Sequence, residues 1–111
     1  MIKVRIDVND LTMDMEGHAQ APRVGDNDLV CCAASTIGQL LVYTLEEYSD
    51  RHGGSVKLQE EMEKGRLHIH AICKEWARVS VRTRFHIAAE GMEMLQEKYP
   101  AYIRIDHEEE D

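Results

Sequence analysis

The chain opens with a period of two. Ile2, Val4, Ile6 and Val8 alternate with Lys3, Arg5 and Asp7, the pattern of a strand that buries one face and wets the other. Asn9 and Asp10 suit a turn. Beyond it Met13, Met15 and Gly17 alternate with Asp14, Glu16 and His18. The two segments predict a hairpin, and parity places His18 on its polar side. Residues 19–27 (AQAPRVGDN) carry Pro22 and Gly25 with no apolar period and predict a mobile loop.

Asp28 then suits the cap of a helix running to about Tyr48. Its stripe of Val30, Ala34, Ile37, Leu41, Leu45 and Tyr48 recurs every three or four residues. His52, Gly53 and Gly54 break it. Residues 55–74 predict two strands joined near Lys64 and Gly65, the first with the weaker pattern. The second sets Leu67, Ile69, Ala71 and Cys73 against His68 and His70. A second helix, from about Trp76 to Tyr99, has the stripe Ala77, Val81, Phe85, Ala88, Met92, Leu95 and Tyr99 and stops before Pro100. Ile103 and Ile105 mark a last short strand. The order β-β-α-β-β-α-β predicts an α+β fold: a single two-layer domain over residues 1–111, with a roughly five-stranded, mainly antiparallel sheet and two helices on one face.

Composition narrows the function classes. A length of 111 residues suits one domain with one core. No apolar run of the ~20 residues needed to span a bilayer is expected, and the opening segment reads as a strand rather than a secretion signal. Against 13 basic residues stand 21 acidic ones, a net charge of −8. That balance argues against a nucleic-acid platform and leaves basic protein partners open. Three cysteines, two of them adjacent, make a poor disulfide framework and fit a reducing cytoplasm. Residues 107–111 read as a solvated acidic tail.

The candidate chemistry lies between Gly17 and Ser35. His18 ends a strand, and Cys31 stands in the first turn of the following helix. A thiolate is a nucleophile and a neighbouring imidazole can take its proton. A helix N-terminus adds amide donors that favour an anion, and the amides around Cys31 and Cys32 could hold an oxyanion. An ionised Asp28 opposes a second negative charge nearby unless it is engaged in capping the amide of Cys31 or its neighbour, the role preferred here. From chemistry alone, a cysteine at such a junction can equally be a small core residue.

The segment Gly17-His18-Ala19, Gly25, Asp28-Leu29-Val30-Cys31, Ala33 and Ser35 resembles the signature of the ribosomal-processing cysteine protease family, Prp. Its members are small bacterial α+β proteins, generally dimeric, that remove an N-terminal extension from the large-subunit ribosomal protein L-twenty-seven. The likeness covers nearly the whole chain in element order, with its specificity in residues 17–35. It implies that His18 is the general base and Cys31 the nucleophile. It makes Asp28 and Ser35 supporting polar residues and Gly17 a hinge. The loop holding Ala19, Pro22 and Gly25 would admit and cover the substrate. It further implies a homodimer, no cofactor, and a basic ribosomal protein's extension as the peptide partner, with neither nucleic acid nor membrane. The chain departs from the pattern in two places. The stretch from His18 to Asp28 is one residue longer, and Cys32 stands where a small residue is usual. Neighbouring helical side chains point about 100° apart, so aligning Asp-Leu-Val-Cys selects Cys31 and leaves Cys32 as a packed thiol or a redox group.

Two alternatives stand beside this one. A non-catalytic interaction module could share the fold, with the longer loop and Cys32 as its support. A prophage relative processing a phage structural protein would carry much the same motif. His68 and His70 share a strand face, but no third ligand at a metal-binding spacing accompanies them. Met13, Met15, Met62, Met92 and Met94 read as core or interface filler, and Trp76 as a packing anchor.

Overall fold

The computed structural model describes residues 1–18, 23–24 and 27–108. Strand β1 (Ile2–Asp7) turns back into β2 (Thr12–Glu16), with Lys3 opposite Glu16 and Asp7 opposite Thr12. The carboxylate of Asp7 closes the turn, Oδ1 accepting from the amides of Asn9 at 2.9 Å and Asp10 at 3.1 Å. A short pair follows, β3 (Arg23–Val24) with β4 (Asn27–Asp28). Within the stretch expected to be a loop, Arg23, Val24 and Asn27 thus pair as strands, Arg23 with Asp28 just beyond it. Ala19, Pro22 and Gly25 lie outside the described residues.

Helix α1 (Leu29–Arg51) leads to a hairpin of two eight-residue strands, β5 (Val56–Glu63) and β6 (Arg66–Cys73). The weakly patterned first strand is therefore as long as its partner. A 3-10 turn (Glu75–Ala77) opens α2 (Arg78–Lys98), and β7 (Ile103–Glu108) ends the fold. The main sheet runs β5-β6-β2-β1-β7. Its pairings are antiparallel except β1 with β7, which is parallel. The expected α+β architecture holds, and the core lies between the helix pair and the sheet. Ile2, Val4, Ile6, Met13, Leu67, Ile69 and Ile103 face Val30, Leu41, Leu45, Phe85 and Met92, all buried.

Several expectations need correction. Against the expectation of no such run, α1 is by length and composition long and apolar enough to cross a bilayer, because its leucines, valines, isoleucine, alanines and cysteines outweigh the scattered polar residues. Its stripe of Val30, Ala34, Gly38, Leu41, Leu45 and Tyr48 is nonetheless buried in the protein core. Ile37 is only half-buried, and Gly38 takes its place on the inner face. A Cβ there would meet Leu67 Cδ2 at 2.7 Å. Trp76 is 64 % exposed and anchors no core packing, because the 3-10 turn aims it outward while Ala77 is buried. Among the methionines, Met13, Met15 and Met92 fill the core, whereas Met62 and Met94 are exposed. Residues 107 and 108, expected in a solvated acidic tail, are in β7. His107 belongs to β7, opposite Ile6, and its Nδ1 lies 3.1 Å from Glu93 Oε1.

Candidate active site

The N-terminus of α1 is fixed by Asp28. Its buried carboxylate oxygen Oδ1 accepts from the amides of Val30 and Cys31, each at 3.0 Å. The capping role expected for Asp28 is the one observed, and it has a consequence for the chemistry. The Cys31 amide is committed to the cap, and the Cys32 amide is the first in the i→i−4 helical register. The pair of amides expected to receive an oxyanion is therefore already engaged.

His18 arrives from the other side. Strand alternation stops at Gly17, where φ is +96°, so parity no longer decides where His18 points. It does not stay on the polar face with Asp14 and Glu16. It lines a cavity of about 250 Å³ together with Cys31 and Ser35, above a floor of Ile2, Met15 and Leu67. Gly17 is required there on two grounds. Side chains rarely adopt its backbone angle, and a Cβ would meet the Met1 carbonyl oxygen at 2.5 Å.

The opposite wall is the β5–β6 turn. Gly17 donates its amide to the carbonyl of Gly65 at 2.8 Å, tying the end of β2 to that turn. The His18 ring lies directly over Gly65, where a Cβ would stand 3.0 Å from Nε2. Gly65, not singled out as a site residue, is thus the seat of the imidazole. Its signal in the sequence was the Lys64-Gly65 turn, but a turn glycine does not announce which ring will rest on it.

Ser35 is one turn beyond Cys31 on the same face of α1, and Gln39 one turn further; both line the cavity. Cys32 is exposed, while Cys31 is half-buried; all three cysteines are thiols rather than disulfides. Burial pushes the Cys73 thiol above its ordinary range, Arg78 pulling it down and Glu75 adding to the rise by smaller amounts. Away from this cavity, His68 Nδ1 lies 2.5 Å from Asp14 Oδ1, and His70 Nδ1 lies 3.3 Å from Gln59 Oε1.

The structure thus gathers His18, Cys31 and Ser35 around one cleft at a helix N-terminus, with Asp28 capping the helix and Gly17 shaping the approach. The family model described as cysteine protease Prp matches residues 1–104. The chain belongs to that family. Prp proteins are cysteine proteases, and this chain is one by membership. Its fold is similar to that of the essential ribosomal processing protease Prp from S. aureus in complex with a covalently linked product peptide. The TM-score is 0.74 at 22 % identity, covering 97 % of this chain and 100 % of that one. The same S. aureus protease with a substrate peptide gives a TM-score of 0.69 at 22 % identity, with 97 % and 100 % covered. SMU.848 from Streptococcus mutans gives 0.68 at 23 % identity, with 96 % and 93 % covered. At these identities the likeness is one of fold. No curated protein matches the chain.

Proposed function

We propose that this Prp-family protease uses Cys31 as nucleophile and His18 as general base. Its substrate in this reading is the N-terminal extension of the large-subunit ribosomal protein L-twenty-seven, cut in the cytoplasm by a homodimer that needs no cofactor. The observation that carries the reading is the single cavity lined by both His18 and Cys31. Their two elements are pinned independently, one by the Asp28 cap and the other by the Gly17–Gly65 hydrogen bond.

In the turnover, the Cys31 proton passes to His18 as sulfur attacks the scissile carbonyl. The tetrahedral intermediate collapses, the C–N bond breaks, and His18 returns the proton to the departing amine. Water then cleaves the thioester with His18 again taking the proton, releasing the new carboxylate and regenerating the thiol. Ser35, on the Cys31 face of α1, offers the hydroxyl donor for the oxyanion in place of the engaged helix amides. A net charge of −8 speeds the encounter with a basic ribosomal protein.

The test is incubation of the purified protein with a peptide spanning the extension and its junction, read by mass spectrometry. One cut at the junction, absent with Cys31→Ala, is expected. An active Cys31→Ala protein overturns the assignment of the nucleophile. A cut confined to a phage structural protein's peptide moves the substrate while leaving the chemistry in place.

A further inference from the structure

The cleft does not end at Ser35. A second cavity of about 130 Å³ continues from it along α1, sharing Gln39, Met62 and Leu67 with the first. Its origin is a mismatch between strand and helix. Along β5 the positions facing α1 are Val56, Leu58, Glu60 and Met62, and their cover thins steadily. Val56 is buried, Leu58 half-buried, Glu60 exposed, and Met62 is 62 % exposed. The outer half of β5 therefore overhangs α1 and leaves a trough between them. Val42 and Leu67 lie in it, Tyr43 and Met62 flank it, and Glu46 from the helix and Glu60 from the strand bring two carboxylates to it.

Two further features describe what fits. β5 is an edge strand of the sheet, and an edge presents main-chain donors and acceptors that suit an extended segment. The carboxylates of Glu46 and Glu60, one from each wall, face a side chain lying between them with negative charge from both sides. An aliphatic stem over Met62 and Tyr43 with a cationic head between the carboxylates matches lysine or arginine.

We propose that this trough is a remote subsite of the protease that selects a basic residue of the bound peptide. It rests on the reading of Cys31 as the nucleophile, which sets the distance. Tyr43 and Glu46 follow Cys31 by twelve and fifteen residues, about 18 to 22 Å along the helix at 1.5 Å per residue. An extended peptide covers that span in about five to seven residues. The subsite thus recognises lysine or arginine at that separation from the scissile bond.

The experiment uses the full chain and twelve-residue peptides built on the L-twenty-seven junction. A single lysine or glutamate is moved outward from the scissile bond one position at a time, and kcat/KM is read for each. The wild-type protein should prefer lysine over glutamate by about fivefold or more at one position in the stated window, an advantage that shrinks with added salt. In the Glu46→Gln, Glu60→Gln double variant the ratio should fall to about twofold or less. A lysine preference that survives in the double variant, or a wild-type protein indifferent throughout the window, overturns the subsite. If the wild-type protein cuts none of the peptides, the protease reading is what fails. The trough is then read from anisotropy of the same peptides, fluorescently labelled, on the Cys31→Ala protein. Lysine-dependent binding abolished by the double substitution supports it, and binding that ignores the lysine overturns it.

Discussion

The imidazole of His18 rests on Gly65, so closely that the smallest added side chain would stand 3.0 Å from Nε2. Gly65 also has φ +78°. Gly65→Ala therefore strains the turn, by about 1 kcal/mol, and pushes the ring off its seat. Gly53 provides the control, since its φ is +69° with nothing within 4 Å of a Cβ. Both variants should lose similar stability in thermal denaturation. Only Gly65→Ala should lose proteolysis, by about tenfold or more, the scale of a general base. Equal activity of the two variants would falsify the role given to this contact.

The three thiols should separate under alkylation. Cys32 is exposed, and Cys73 is half-buried with its thiol raised by that burial. A raised value means less thiolate at a given pH, so near pH 8 iodoacetamide should label Cys73 more slowly than Cys32. The gap should narrow as the pH climbs past the ordinary thiol range of about 8.5. Labelling followed residue by residue in the mass spectrometer checks both the order and its convergence. In proteolysis, Cys32→Ala should retain most activity, because Cys31 and not its neighbour lines the cleft. A dead Cys32→Ala protein with an intact fold would reverse the choice of cysteine.

Asp28 separates capping from charge. Its carboxylate oxygen accepts from two amides of the first turn, so Asp28→Ala should cost about 1 kcal/mol. Asparagine keeps an acceptor oxygen at the same place, and Asp28→Asn should stay near wild-type stability. Urea denaturation of the three proteins decides the matter. An asparagine variant as unstable as the alanine one would mean that the charge, rather than the acceptor, holds the helix start.

These residues also show what the sequence could tell. Alternation at Ile2, Val4 and Ile6 and the three-four spacing of Val30, Ala34 and Leu41 located the core because burial follows the periods of strand and helix. Asp28 was legible because an Asp before an apolar-periodic run has a local job. The parity of His18 misled, since one positive φ at Gly17 ends the alternation that parity assumes. Gly65 and the overhang of β5 were out of reach for a different reason. Both depend on which distant segment lies across them, and local pattern carries no information on that. The oxyanion donors failed similarly, because the same Asp28 that marks the helix start also occupies the Cys31 amide.

Gly17 offers the sharpest perturbation of His18 without touching its ring. An alanine there must adopt φ +96° and bring its Cβ within 2.5 Å of the Met1 carbonyl oxygen. The contact is to backbone, so no side chain can swing aside to relieve it. β1 and β2 pair along five positions from Lys3–Glu16 to Asp7–Thr12, and that ladder has no reason to move as a whole. The strain should then be released at the end of β2, lifting Gly17 away from Gly65 and carrying His18 with it. Gly17→Ala is expected to lose about 1 to 3 kcal/mol and most proteolysis. Amide exchange should show faster opening at residue 17 while β1 and the rest of β2 stay protected. A variant that keeps wild-type turnover would mean that His18 reaches the thiol of Cys31 by a path independent of this strand end, and that the cleft is held together by something other than the tie to Gly65.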